Sequence, residues 1–300
     1  MSEEAPGPPG SPGAVRIVIV HWNQPDQCAA TVAQLARGSV ATRVSIVDNG
    51  SGADELAALR TQLDRELTEG WVEVIETGRN TGFGPGANVG LRRFLERASD
   101  GDWVFVAPHD VQVAPDTLEQ ILVAASEIPA AGLCCGDVGD AMVPVIDPYF
   151  GGMTVPGGGE RGWEQVDYPH GTLMGLRREC IEEVGLFDER YFSYCEEADL
   201  ALRARRKGWQ VGLVRGAMAT NRGLGSSVWR VDFLQTRNTL LLVQEHSGWY
   251  HAFIRIWFTV IQVARGVADA RTRPPVFDAR ARLAGVWAFL TRRFGPPPLR

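Results

Sequence analysis

Apolar and polar positions alternate along this chain in two periods. Val15-Arg-Ile-Val-Ile-Val20 is a β-branched run of strand length, and the polar turn His21-Trp-Asn-Gln-Pro-Asp26 ends it. Residues 27–37 change to helical spacing and stop at Gly38. The alternation then repeats. A strand at 44–47 runs into Asp48-Asn-Gly-Ser-Gly52, and a helix covers about 54–67. A strand at 71–75 leads to the glycine-rich turn Gly78-Arg-Asn-Thr-Gly-Phe-Gly-Pro-Gly86, which opens a helix to about residue 98. A strand at 103–107 ends at Pro108-His-Asp110, before a helix at about 115–127. Four strands, each followed by a helix, predict βαβ units and a mostly parallel sheet flanked by helices. Ligands of such sheets sit outside the carboxyl ends of the strands, where Asp48, Asn80 and Asp110 all fall.

The period breaks after Gly132. Short apolar runs and glycine clusters over 133–175 predict antiparallel ribbon and loop. A short helix at 177–184, a helix opening near Glu196, a strand at 209–214 and a helix at 229–247 follow. Residues 249–268 carry an apolar stripe at 249, 253, 257, 260 and 264. The chain thus divides into a tail (1–14), a body of two halves (15–130 and 131–247) and a helical extension (248–300). The tail is Pro, Gly, Ser and acid, a composition that predicts disorder and no secretory leader.

Charge is distributed unevenly. The formal net charge is −6, yet residues 249–300 hold nine arginines against Asp269 and Asp278, so the rest of the chain is strongly acidic. An acidic body excludes a nucleic-acid binder, which needs a basic face. A basic, Trp-rich amphipathic extension suits an anionic membrane surface; packing on the body or in a homodimer is the plainer alternative. No apolar run is long enough to span a bilayer. Five cysteines without a C-x-x-C pair predict a reducing, cytoplasmic setting, with peripheral contact at the inner face of a membrane.

Gly82, Gly84 and Ala87 satisfy G-x-G-x-x-A, but they follow the third strand and no ribose-binding acid ends the next, which argues against a nicotinamide site. With no G-x-x-x-x-G-K-[ST] and Lys207 the only lysine, a P-loop is excluded. The densest cluster of chemistry is Tyr191-Phe-Ser-Tyr-Cys-Glu-Glu-Ala-Asp199, an aromatic turn followed by three acids at a helix start. Acids there also suit the helix dipole, and Asp199 can pair with Arg203 at i,i+4.

Five segments in order resemble family 2 glycosyltransferases of the GT-A fold, in particular the rhamnosyltransferase-like branch. They are Val47-Asp-Asn-Gly-Ser51, Asn80-Thr-Gly-Phe-Gly-Pro-Gly-Ala-Asn88, Pro108-His-Asp110, the Gly171 to Arg178 segment, and Gly185-Leu-Phe-Asp-Glu-Arg-Tyr-Phe-Ser-Tyr-Cys-Glu-Glu-Ala-Asp-Leu-Ala-Leu-Arg203. The resemblance covers about 15–247, with a weaker echo at 282–297. It implies an inverting hexosyl transfer from a UDP- or dTDP-sugar to a sugar, lipid-linked or small-molecule acceptor. His21, Asn23, Asp48, Asn80, Gly82, Phe83, Asn88, His109 and Asp110 are the implied nucleotide-sugar residues, and His170, Gly171, Tyr194 and Asp199 the acceptor residues. Asp110 is the implied ligand of Mg²⁺ or Mn²⁺. Glu197 takes the position of the general base, with Glu196 its neighbour and rival. The His that members carry after the next strand is missing; Asn221 and Arg222 stand there. That gap, with the altered Pro-His-Asp, motivates an alternative: an inactive GT-A module that binds nucleotide-sugar or a partner. A sugar nucleotidyltransferase is disfavoured, since G-x-G-T-R and a lysine-bearing loop are absent.

Overall fold

The structure, a computed structural model, describes residues 13–97, 101–221 and 227–298. Most of the tail (1–12) and Arg222 lie outside them.

The first half follows the period change in the sequence. Strand β1 (Val15–His21), helix α1 (Pro25–Leu35), β2 (Thr42–Asp48), the short helices α2 (Ala53–Gln62) and α3 (Asp64–Thr68), β3 (Val72–Glu76), α4 (Phe83–Leu95) and β4 (Trp103–Pro108) build the parallel order β3-β2-β1-β4. Strand side chains alternate between faces. Ile17 and Ile19 pack with Cys28, Val32 and Leu59 on one side; Val18 and Val20 pack with Ala87, Leu91 and Phe94 of α4 on the other. Burial on both faces is why β1 reads as an unbroken apolar run rather than an alternating one.

The second half is mixed, not parallel. It comprises β5 (Val111–Val113), α5 (Thr117–Ser126), β6 (Ala131–Asp137), β7 (Met142–Asp147), β8 (Gly151–Pro156), β9 (Gly162–Gln165), β10 (Met174–Arg177), α6 (Arg178–Val184), α7 (Glu196–Arg206) and β11 (Gln210–Asn221). Strand β10 runs antiparallel between β4 and β6, and β11 runs parallel to β6. The ribbon expected over 133–175 is β7 paired with β8, outside the main sheet. Strand β6 of that span instead lies within the main sheet, buried throughout. Strand β11 outruns its expected end at 214. It shifts register between Val214 and Met218, where Gly216 has φ +86°, and then pairs with β5 so that Asn221 lies opposite Val111.

Three helices close the chain: α8 (Val228–Ser247), α9 (Trp249–Ala268) and α10 (Ala279–Leu290). Leu240 to Val243 of α8 form a core with Ala252, Val286, Phe289 and, from the catalytic half, Tyr191. The extension therefore packs on the body along one side.

Candidate active site

The first part of the site is a crevice at the ends of β1, β2 and β4, the point where the strand order reverses. Parallel pairing sets His21 beside Asp48. Asp48 is buried; its Oδ2 accepts from Ser51 N (3.2 Å), closing an Asx-type turn one residue longer than the Asx turn that its Asn-Gly neighbours predict. Its Oδ1 has no hydrogen-bond partner among the described residues and lies 3.9 Å from His21 Nε2. Both ring nitrogens of His21 are likewise buried without partners. Desolvation, then the neighbouring His109, push the His21 pKa down to about 4 against the pull of Asp48, so its imidazole is neutral at pH 7. His109 stacks edge-on against it at 5.5 Å, with Nδ1 3.4 Å from Val20 O. Buried polar atoms are normally satisfied, and three unpaired ones in a strand-end crevice mark a binding site.

Around this crevice the structure separates contact residues from braces. Asn23 donates its N–H to Ser51 Oγ and accepts from Gly52 N, tying the first turn to the second. Asn49, given no role by the sequence reading, is the hub of the glycine turn. Its Nδ2 donates to Gly82 O (2.8 Å), and its Oδ1 accepts from Thr81 N and Oγ1 (3.0 and 2.9 Å). Asn80 Oδ1 accepts from Gly82 N (3.0 Å), and Phe83 N donates to Ser193 Oγ (3.1 Å). The N–H groups of Thr81, Gly82 and Phe83 are thus bonded within the protein. The glycines of the turn serve close approach. Gly82 sits at φ +100°, where a Cβ would meet Phe192 O at 2.1 Å; Gly84 packs against Glu196. Asn88 is not at the crevice. It is buried and grips Phe187, donating to its O (2.9 Å) and accepting from its N (3.1 Å).

Asp110 stands at the end of β4, in a shallow cleft with Asp26, Thr31 and Gln34 of α1. Thr31 Oγ1 holds its turn, donating to His109 O and Val111 O. Pairing of β5 with β11 sets Asn221, near the position of the missing His, opposite Val111, the residue after Asp110. Among the described residues no group of three or more His, Cys, Asp or Glu is placed to hold an ion. A single carboxylate, Asp110, would leave a hard cation to take its remaining ligands from phosphate and water.

The second part of the site is the start of α7. Its N-cap, Cys195, is left-handed (φ +71°), as are Phe192 (+66°) and Tyr194 (+72°). No glycine eases this turn, so it is held from outside. Asn238 Nδ2 donates to Tyr191 O, Ser193 O and Tyr194 O (2.7, 2.7 and 2.8 Å). Arg237 adds Nη2 to Tyr191 O (3.2 Å) and ties it through Nη1 to Gly295 O (2.8 Å). Burial lowers the Arg237 pKa to about 10. The signal for both was present: a charge and an amide inside the apolar run of α8.

Glu196 is buried, its Oε2 unpaired. Desolvation and then repulsion from Glu197 raise its pKa well above the carboxylate range. Glu197 is half-buried, and desolvation raises its pKa to about 7. The residues of the aromatic turn point away from the acid pair into the core. Tyr191 enters the core under α8, and Phe192 and Tyr194 pack toward Phe233; Tyr168, in the field of Glu197, is the aromatic beside the acid. His170 Nε2 is buried without a partner, and Gly171 borders open space.

Asp199, an expected acceptor residue, is engaged within the protein. It is buried, bound by Arg203 Nε (2.9 Å) and His246 Nε2 (2.7 Å), while Arg203 also donates to Val184 O and Leu186 O. Burial favours its neutral form, but His246 and Arg203 outweigh that and hold the carboxyl below its usual range. A depressed folded pKa gives stability that is full above the unfolded value of about 3.9 and is lost as pH falls through the folded one. Asp199→Asn is expected to lower the melting temperature at pH 7, the gap to wild type closing as pH drops below about 4. A gap that stays constant with pH would show that the pairing contributes nothing.

The crevice and the α7 start form one site, joined through Asn49, the glycine turn and Ser193. Acids at the strand ends and a carboxylate pair at a helix start, on a mixed α/β sheet, are the arrangement of the GT-A class of sugar transferases. Residues 12–252 match the family described as "Glycosyltransferase like family 2". The chain is 30% identical over 261 residues to an N-acetylglucosaminyl-diphospho-decaprenol L-rhamnosyltransferase of Mycobacterium tuberculosis, covering 74% of this chain and 82% of that one. It is 23% identical over 176 residues to the low-salt glycan biosynthesis hexosyltransferase Agl10 of Haloferax volcanii, covering 54% of this chain and 57% of that one. Its fold is similar to that of a Pyrobaculum calidifontis mannosyltransferase solved with GDP-Man and Mn²⁺ (TM-score 0.62, 12% identity, 96% of this chain, 90% of that one). GalNAc-T7, solved with UDP, GalNAc and Mn²⁺, is similar too (TM-score 0.61, 14% identity, 94% of this chain, 57% of that one). The chain belongs to glycosyltransferase family 2.

Proposed function

We propose that this chain is an inverting glycosyltransferase that moves a hexosyl unit from a UDP- or dTDP-sugar to a hydroxyl of a lipid-linked sugar acceptor. The observation that carries this is the pair of adjacent carboxylates at the start of α7, one sealed in and one half-exposed, joined through the glycine turn to a crevice of unpaired buried polar atoms. Asp48 Oδ1 is a fixed acceptor, matched to the imide N–H of uracil or thymine, and His21 lines the same pocket in neutral form. Glu197 takes the proton of the acceptor hydroxyl as its oxygen bonds to the anomeric carbon. The bond from that carbon to the diphosphate breaks on the opposite face, and the nucleoside diphosphate leaves. A Mg²⁺ or Mn²⁺ ion beside Asp110 would supply charge to offset that of the leaving diphosphate. Support for a lipid-linked acceptor is the printed name of the mycobacterial relative, whose acceptor is a decaprenol-linked N-acetylglucosaminyl diphosphate.

The test is a panel of nucleotide-sugars read by release of UDP or dTDP, with synthetic prenyl-diphosphate-sugar acceptors, with and without EDTA. Release from one donor only in the presence of acceptor is the expected result; no release from any donor overturns the proposal in favour of an inactive module. Asp48→Asn leaves the Asx turn an acceptor oxygen. It is expected to weaken UDP or dTDP binding by roughly tenfold or more while leaving the apo melting temperature nearly unchanged. Calorimetry checks this, and equal affinities would remove Asp48 from the nucleotide pocket.

A further inference from the structure

We propose that the outward face of α9 and α10 is a docking surface for an anionic lipid bilayer, which takes the lipid-linked acceptor reading further by naming where the enzyme meets its acceptor's membrane.

Helix α9 has two apolar faces. Ala252, Ile256, Thr259 and Val263 are turned inward. At about 100° per residue, Trp249, Tyr250, Phe253, Trp257, Val260, Ile261 and Val267 fall on a separate arc of about 120° that holds no charged residue. This arc is the stripe visible in the sequence, and it faces solvent: Trp249 is 53% exposed, Phe253 67% and Trp257 60%. Leu283, Trp287 and Leu290 of α10 add a second exposed row at i, i+4, i+7. Among the described residues, most of the large hydrophobic side chains left exposed lie on these two helices. A contiguous apolar face of this size marks an interaction surface rather than ordinary scatter.

Charge decides between occupants. Arg265, Arg271, Arg273, Arg280, Arg292 and Arg293 are exposed around the arc, and none has a carboxylate partner within ion-pair distance among the described residues. The two acids of the extension are engaged as caps, Asp269 on Arg271 N and Asp278 on Ala281 N. A second copy meeting this face across a two-fold axis would set arginine against arginine. An anionic headgroup layer gives each a partner, while tryptophans suit the boundary of headgroup and acyl chain. No described helix is long and apolar enough to cross a membrane, so the helices would lie in the interface plane.

On the same wheel, set from Trp249, the residues of α9 that meet the β7–β8 hairpin, Phe258, His251 and Arg255, fall at about 180–240°, on the flank away from the apolar arc. The tip of the β7–β8 hairpin packs on α9 through Phe150 with Phe258 (5.2 Å), Tyr149 with His251 (4.6 Å) and Arg255 over Phe150 (5.4 Å). The same hairpin receives Tyr168 Oη at Met153 O, and Tyr168 lies in the field of Glu197.

The experiment is co-sedimentation of the full chain with vesicles of phosphatidylcholine alone or mixed with phosphatidylglycerol. The expected result is binding to the mixed vesicles that weakens with salt and is much poorer on phosphatidylcholine. Trp257→Ser with Trp287→Ser changes only exposed positions and should cut partitioning by roughly tenfold or more. Arg265→Glu with Arg280→Glu should erase the preference for phosphatidylglycerol. No vesicle binding, equal binding to both compositions, or binding untouched by both variants overturns the proposal. So does light scattering in which the tryptophan variant turns a dimer that ignores vesicles into a monomer. Donor turnover on a water-soluble acceptor is measured in parallel and should be unchanged in both variants. Vesicle binding without any transfer would count against the glycosyltransferase reading alone.

Discussion

Glu197→Gln is expected to reduce turnover by roughly 10²- to 10⁴-fold, the usual contribution of a positioned general base. Nucleotide affinity should stay near wild type. The substitution keeps the shape of a half-buried side chain and removes only its ability to take a proton. Rates should also depend on pH in a stated direction. Burial raises the Glu197 pKa to about 7, so the basic form accumulates, and the wild-type rate rises, as pH passes through neutrality. The apparent value belongs to the Glu196–Glu197 pair, because the second proton leaves against the charge of the first. Glu197 titrates first, and Glu196 stays neutral to higher pH. Glu196→Gln should therefore leave most of the rate and the lower limb of the pH profile in place.

Stability gives an independent reading of the same pair. Carboxyls whose folded pKa is raised bind protons more tightly folded than unfolded. They weaken the fold as pH rises from the ordinary carboxylate range through the raised values. Glu196→Gln should make the protein more stable than wild type at pH 8, with the advantage gone near pH 4. If Glu197→Gln keeps near-wild-type turnover while Glu196→Gln abolishes it, the roles are reversed. The half-buried position of Glu197 and the sealing of Glu196 against Gly84 would then need another explanation.

The first half was legible because its strands are buried on both faces and bounded by polar turns. The β1 run, Asp48 and the glycine turn each carry their signal within a few residues. Strand β6 was not legible: Ala-Gly-Leu-Cys-Cys-Gly-Asp has little β-branching, and it is a strand because β10 and β11 flank it. The same limit applied in the site. Strand-end position located Asp48 and Asp110 without distinguishing lining from bracing. Asn88 looked like a nucleotide contact until its amide was seen on Phe187, about a hundred residues away. Asp199 was ambiguous because only Arg203 lies nearby in sequence, whereas His246 arrives from α8. The apolar stripe of α9 was legible as a pattern, but periodicity cannot say which of two apolar faces is covered.

Asn238→Ala is the second large effect expected, at a residue that touches no substrate. Phe192, Tyr194 and Cys195 are left-handed without being glycine, each at a cost of about 1 kcal/mol or more. Such a turn persists only when its surroundings over-determine it, and the Asn238 amide does this by binding three of its carbonyls. Tyr191 O keeps a donor from Arg237 in the variant, but Ser193 O and Tyr194 O lose theirs, at ~1–3 kcal/mol for each buried group left unpaired. A marked fall in melting temperature follows. Relaxation of the turn would move the start of α7, and with it Glu197, while Asp48 and His21 are held by a different part of the sheet. The expected signature is a fall in kcat of roughly 10²-fold or more, with UDP or dTDP affinity within about twofold of wild type. The pH–rate midpoint should shift as the burial of the acid pair changes. Asn238→Asp retains the size but turns an oxygen toward three carbonyl oxygens, and it should be no better than alanine. Loss of nucleotide binding in step with kcat would mean that Asn238 supports the fold as a whole and does not position the base in particular.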